Sequence, residues 1–324
     1  MDQDHRKSRV AWLSVLSNST LVVGKIIVGL AIGSVSVLSE AIHSGIDLLA
    51  AIIALMAVKT SSKPADADHP FGHGKFENIS GAVEALLIFF AAAWIIFEAV
   101  NKLLSPKPLG WALWGVLVMA VSTLVNLTVS HFLFKVGKET TSVALMADAW
   151  HLRTDVYTSA GVMIALALLW LAGRFAPDWK LPWVDPAAAL LVALLILKAA
   201  YDLTIQAARD LLDVRLPAEE EEWLVECIKN LSPSVKGFHR LRTRRAGALR
   251  FVEFHLMVDP LMTVVDSHRL TDQATERIRD KFPQTSVLAH IEPCEGECAP
   301  ACVEGCQLCD EERDSKRRTF HGRS

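Results

Sequence analysis

The chain has 324 residues, 52% of them hydrophobic, with a mean hydropathy of +0.31 and a formal net charge of −3 at pH 7. These values fit a membrane protein with a soluble appendage rather than one large soluble domain, and the charge offers no nucleic-acid surface. Residues 1–9 are polar and basic, and the apolar run that follows is too long for the core of a cleaved leader.

Six apolar stretches, at 10–32, 35–58, 79–103, 111–134, 141–172 and 183–207, can each cross a bilayer of about 30 Å, which takes roughly 20 residues. The link at Gly33-Ser34 is so short that the first two must form a hairpin. An even number of spans puts both termini on one side. Eight Lys and Arg lie on that side (Arg6, Lys7, Arg9, Lys59, Lys63, Lys75, Lys135, Lys138), against four opposite (Lys102, Lys107, Arg174, Lys180). Both termini are therefore expected in the cytoplasm.

The second and fifth stretches carry the same polar pair. His43 and Asp47 are four residues apart, and so are His151 and Asp155. That spacing puts each pair on one helix face, one turn apart. Two such helices at the usual separation of about 8–10 Å can aim two imidazoles and two carboxylates at one point. The result is a four-ligand N₂O₂ cage for a divalent ion such as zinc. Two unrelated polar pairs are the plainer alternative, but ionisable residues inside a membrane are costly and mark function. Two aspartates balance the dication, and neutral imidazoles complete the shell. The imidazoles must lose protons before they bind, so metal and proton binding are linked. Asp148, one turn before His151, reads as an orienting or capping group rather than a ligand.

Between the second and third stretches, Asp66, His69 and His73 fall within eight residues, among Pro70, Gly72 and Gly74, which let the backbone turn tightly. Spacing alone leaves metal binding and simple solvation of a polar loop equally open.

After Leu212 the composition changes. Pro217 followed by Glu219–Glu222 reads as a helix start, with the acids at the positive end of the dipole. Residues 235–244 and 249–258 alternate as two strands joined across Ala246-Gly247, residues 263–282 read as a helix, and 286–291 as a last strand. The expected order is αββαβ, a small α+β domain with its own core. Val252, Phe254, Leu256 and Val258 make its apolar strand face, so His255 points the other way. His239, His268, His290 and Glu292 join His255 as candidates, although spacing alone does not group them.

The tail from 294 is polar and holds Cys294, Cys298, Cys302, Cys306 and Cys309. Clustered thiols far from Cys227 indicate metal binding in a reducing compartment, for zinc or a softer ion, and not a disulfide framework. The segment 302–309 shares its CxxxCxxC spacing with some iron–sulfur enzymes, but no barrel sequence accompanies it. With Pro300 among few helix formers, the tail is expected to have no structure of its own until metal orders it. It would then capture an ion for the neighbouring domain or sense cellular load.

Paired HxxxD motifs on the second and fifth of six spans, followed by an αββαβ domain, resemble the cation diffusion facilitator family over about residues 8–293. The likeness is carried by Gly33-Ser34, by the loop Asp68-His-Pro-Phe-Gly-His-Gly-Lys75, and by Asp148-Ala-Trp-His-Leu-Arg-Thr-Asp155. It looks closest to the bacterial zinc and iron efflux branch. The resemblance implies an all-α six-helix transmembrane domain over 1–212 and a ferredoxin- or metallochaperone-like cytosolic domain over 213–293. It also implies an inner-membrane homodimer that exports divalent metal against inward protons by alternating access. Zinc is the expected ion, with Fe²⁺, Cd²⁺ and Co²⁺ as alternatives. The transport site maps to His43, Asp47, His151 and Asp155, and the loop site to Asp66, His69 and His73. The cytosolic site maps to His239, His255, His268 and His290, bridged by Glu292 where relatives often have Asp. Lys75 and Asp213 match a dimer-tying salt bridge. Some relatives carry Asp at the position of His43, and the second imidazole favours zinc over harder ions. The tail, 294–324, lies outside the likeness. A membrane metalloenzyme would need an open metal position, which four protein ligands close. A metal-sensing scaffold would not need the intramembrane cage.

Overall fold

The computed structural model describes residues 2–32, 35–104, 113–157, 160, 184–296, 298 and 300–321. They form two compact units, Met1–Leu211 and Leu212–Ser324.

The first unit is helical: α1 (Asp2–Ile32), α2 (Val35–Ser61), α3 (Lys75–Leu104), α4 (Leu113–Thr140), α5 (residues 143–157) and α6 (Val184–Leu211). Among the described residues five helices are long and apolar enough to cross a membrane. Much of the expected fifth span, residues 158, 159 and 161–172, lies outside the described residues. Helix α1 packs along α2 and α4, and α3 along α6. Helix α5 belongs to both cores: Leu145 and Leu152 meet Leu55 and Leu133, while Ala147 meets Ile88 and Ile196. Buried alanines such as Ala50, Ala54, Ala85, Ala92, Ala193 and Ala200 let backbones approach closely, the economical contact where lipid competes equally for apolar side chains. A Cβ on Gly81 would stand 2.7 Å from Val143 Cγ1, which shows how tightly α3 meets α5. Leu16, Leu30, Phe90, Trp94 and Leu194 face outward, apolar surface that lipid covers.

Hydropathy puts residues 1–9 outside the first span, yet α1 already begins at Asp2. The reason is Lys7, buried with its Nζ 3.0 Å from Glu77 of α3.

In the second unit, α7 (Ala218–Lys229) and α8 (Val264–Lys281) cover one face of a three-stranded sheet. Its strands are β1 (Gly237–Ala246), β2 (Leu249–Val258) and β3 (Thr285–Pro293), ordered β1-β2-β3. β1 and β2 are antiparallel, β2 and β3 parallel, and α8 makes the crossover. The expected αββαβ order is therefore observed. Gly247, at φ 59°, makes the tight hairpin turn after β1. Thr263 caps α8 by accepting from the Asp266 amide at 3.1 Å. Leu224, Ile228, Leu270 and Ile278 of the helices close over Val252, Phe254 and Leu256. The glutamates opening α7 do more than face a dipole. Glu220 pairs with Arg245 and Arg250, each at 2.9 Å, and Glu221 accepts from Thr243, so α7 is tied to both hairpin strands.

The tail, expected to lack structure, instead carries α9 (Pro300–Glu304) and α10 (Asp310–His321). Pro300 starts α9 rather than interrupting the chain, since a helix's first residue needs no amide donor. Asp310, Glu311 and Glu312 complement the dipole of α10. The segment between them lies against the edge strand β1. The Phe238 amide donates to the Gly305 carbonyl at 3.1 Å, and the Gln307 amide to the Lys236 carbonyl at 2.9 Å.

Candidate metal centres

Within the membrane unit, α2 supplies Asp47 and α5 supplies His151 and Asp155, and ligand atoms of all three lie within 4.8 Å of one another. His151 Nε2 is 3.1 Å from Asp47 Oδ1, and both side chains are almost fully buried. In a tetrahedral zinc site, bonds near 2.1 Å put neighbouring ligand atoms about 3.4 Å apart, so this pair already stands close to ligand separation. His43 lies one turn before Asp47 on α2, but its side chain is outside the described residues. Asp148 is fully buried and does not join the three.

Two further charged groups sit inside this unit. Glu84 on α3 is fully buried and accepts from Ser80 at 3.1 Å. Lys25 on α1 is buried and donates to Ser44, next to His43, at 2.8 Å. Sequence reasoning passed over both, although each stands in an apolar run where a charge signals a role. Glu77 was passed over as well. It gathers Lys7, Ser61 at 2.8 Å and Ser142 at 2.5 Å, joining α1, α2, α3 and the start of α5. No local signal marks that hub, because its partners lie up to 70 residues away.

In the loop after α2, Asp66 accepts from the amides of Asp68 (3.1 Å) and His69 (2.7 Å). His69 Nδ1 is 3.3 Å from its Oδ1, and His73 Nε2 is 3.4 Å from its Oδ2. The expected trio is thus brought together, with Gly72 at φ 82° making the turn. The hydrogen bond from the His69 amide, above all, holds the Asp66 carboxyl below the usual range despite some opposing desolvation. His73 Nδ1 is 3.2 Å from the Pro64 carbonyl, which can only accept. Nδ1 therefore donates to that carbonyl, and Nε2, turned toward Asp66, is the atom that would bind an ion.

In the second unit the sheet register builds the cluster. His239 faces His255 across β1 and β2, and His255 faces His290 across β2 and β3. The three rings form a row, with centroids 5.1 and 4.8 Å apart. Glu292, two residues beyond His290, leans back over it. Its Oε1 is 2.7 Å from His255 Nδ1 and 3.6 Å from His290 Nε2, and its Oε2 is 3.1 Å from His239 Nε2. One carboxylate thus presents both oxygens to different imidazoles, as a bridging ligand does. The register shift after His239, with Arg240 at φ 50°, bends β1 beside the cluster. Burial raises the Glu292 carboxyl, but the His255 hydrogen bond and the three imidazoles pull it below its ordinary value. Burial chiefly, against the attraction of Glu292, lowers His239 and keeps it in the neutral form that can bind an ion. His268 does not join the row. It is exposed on α8 and paired with Asp272 at 3.0 Å.

Lys75 donates to the Leu211 carbonyl at 3.4 Å in the first unit, and Asp213 pairs with Arg244 at 3.3 Å in the second. Of the tail thiols, Cys294, Cys298, Cys302 and Cys306 line one cavity of about 380 Å³ together with His239 and Glu292. Cys309 is exposed and does not. Burial first, then the negative charge of the neighbouring thiols and Glu292, pushes the Cys302 thiol up to about 11.

Charged groups are too costly in lipid to persist there without a role, and carboxylate with imidazole suits a borderline dication. The fold and its clusters define an integral membrane protein built to handle divalent cations. Residues 11–212 match the cation efflux transmembrane domain, and residues 216–294 the cytoplasmic domain of cation efflux proteins. The chain is 37% identical over 263 residues to an uncharacterized transporter of Synechocystis, covering 81% of this chain and 83% of that protein. It is 32% identical to the cation-efflux pump FieF of Escherichia coli, covering 89% and 93%. Among solved structures it is similar to the metal-bound C-terminal domain of the CzcD transporter from Thermotoga maritima (28% identity, TM-score 0.22, 24% of this chain and 94% of that one). It is also similar to CzrB (35% identity, TM-score 0.24, 24% and 96%). The chain belongs to the cation diffusion facilitator family and is a multi-pass cation efflux transporter.

Proposed function

We propose that this transporter is a zinc/proton antiporter that carries Zn²⁺ out of the cytoplasm. The observation that carries the reading is the convergence of Asp47, His151 and Asp155 in the membrane unit. His43, one turn from Asp47, supplies the fourth ligand. Asp47 and Asp155 neutralise the dication, and the two imidazoles favour zinc over harder ions. Proton coupling follows from the hydrogen bond between His151 and Asp47. A carboxylate accepts, so the proton between them sits on Nε2, the atom whose lone pair an ion needs. Zinc must displace that proton, and a returning proton must displace zinc. Exposing the site to either side in turn then exchanges one for the other.

The protein works as a homodimer in the inner membrane with both termini cytoplasmic. Lys75 and Asp213 tie the subunits. Ions at the row of His239, His255, His290 and Glu292 stabilise the paired cytosolic domains, with His268 contributed from outside the row. Asp66, His69 and His73 bind an ion in the loop. Fe²⁺, Cd²⁺ and Co²⁺ are competing cargoes for the same cage.

Reconstituted protein should take up zinc into proteoliposomes only under a pH gradient, and Asp155→Ala should lose that exchange while keeping its elution profile in detergent. Wild-type exchange by the variant, or uptake that ignores the gradient, would refute the assignment.

A further inference from the structure

We propose that Cys294, Cys298, Cys302 and Cys306 form a separate four-thiolate site for one thiophilic d¹⁰ dication, zinc or cadmium, on the wall of the cavity that also touches His239 and Glu292. This inference does not depend on antiport in the membrane.

Three observations carry it. First, the four thiols line one cavity; no three of their sulfurs stand within 4.8 Å of one another, so an ion entering the cavity would draw them inward onto itself. All four are free thiols. Second, the tail is held in place from outside the site. Its backbone bonds to Phe238 and Lys236 fix the stretch around Cys306, and Lys316 Nζ donates to the Cys294 carbonyl at 3.1 Å. Two glycines make the close approach feasible. A Cβ on Gly305 would stand 1.8 Å from the Phe238 carbonyl oxygen, and one on Gly296 (φ 100°) would stand 2.4 Å from the Lys316 carbonyl oxygen. Third, the charge fits. Lys236, Arg240, Arg313 and Lys316 line the cavity with Glu292 and Glu295, which leaves a surplus of two positive charges. A dication held by four thiolates carries two negative charges, so the cavity wall compensates it.

Binding replaces four S–H bonds by four metal–sulfur bonds and releases four protons, with no change of oxidation state. Four thiolates in a tetrahedron close the coordination shell, as in structural zinc sites. The geometry also separates the fifth thiol, Cys309, from the set.

The test is a Cd²⁺ titration of the full-length protein in detergent with reductant present, following the thiolate-to-cadmium charge-transfer absorption. The expected result is a band that saturates at one equivalent per chain with the intensity of four sulfurs. Cys302→Ser should weaken cadmium binding by at least about tenfold, as losing even a supporting contact of a metal ligand can. Cys309→Ser and His255→Ala should leave the band unchanged. Gly305→Leu keeps every thiol but displaces the tail from β1, and should weaken the band with Cys302→Ser. Circular dichroism and the elution profile identify any variant that fails to fold. A band absent from wild type, equal losses in Cys309→Ser and Cys302→Ser, or iron and sulfide in the purified protein would each overturn the proposal. Zinc exchange in proteoliposomes is measured separately, so failure here leaves the transport reading standing, and the reverse.

Discussion

Glu77 offers a quantitative test of how the membrane unit is held together. Its carboxylate is fully buried and accepts from Lys7, Ser61 and Ser142. Glu77→Ala leaves the buried Lys7 ammonium with the more distant Asp4, at 3.9 Å. Removing one partner of a buried ion pair costs about 3–5 kcal/mol. Ser61 keeps the Val58 carbonyl as an acceptor, so its loss is small. The Ser142 hydroxyl loses its acceptor, at about 1 kcal/mol. Water entering the vacated space offsets part of this, so a net loss of about 4 kcal/mol is expected. For a unit of this size that lowers the thermal midpoint by roughly 8–16 °C. The assay is a melt of detergent-solubilised protein, read by the monodisperse fraction surviving each temperature. The double variant Lys7→Met/Glu77→Leu removes both charges together and should regain most of the loss, because apolar replacement of a buried pair is often neutral. If Glu77→Ala melts at the wild-type temperature, or the double variant is no better than the single, the hub does not hold these helices.

His43→Asp should harden the cage and raise transport of Fe²⁺ or Mn²⁺ relative to Zn²⁺; competition assays in proteoliposomes with an unchanged ion ranking would place selectivity elsewhere. Glu292→Ala removes the acceptor shared by His239, His255 and His290. Calorimetry of the full-length protein should then show fewer zinc equivalents, while exchange at saturating zinc continues. Glu220 is raised by burial, but Arg250 and then Arg245 hold its carboxyl below 4.5 overall. A depressed folded value means the ion pairs stabilise fully above pH 4.5 and fade as pH falls through the lower folded value. Glu220→Gln should flatten that acid limb in a pH series of melts, and an identical limb would show that other groups set it.

The spans, the HxxxD pairs and the αββαβ order were legible in the sequence because each depends on neighbours along the chain. About 20 apolar residues satisfy a bilayer whatever the rest of the protein does, and His151 with Asp155 share a helix face by spacing alone. Strand alternation likewise put His255 opposite Phe254. What the tertiary structure decided concerns groups far apart in sequence. Lys7 meets Glu77 only because the bundle brings the start of α1 to the start of α3, so a residue that reads as a topological charge becomes a structural one. The row of His239, His255 and His290 needs the register of three strands, since a slip of one residue would turn any of them to the other face. His268, equal to them in the sequence, sits on α8 away from the row. The tail differs for the same reason. Its composition argues against independent structure, but an edge strand offers unpaired backbone groups that a passing segment can satisfy. Docking on β1 brings four thiols to one cavity and leaves Cys309 outside, a division decided by where the docked segment lies.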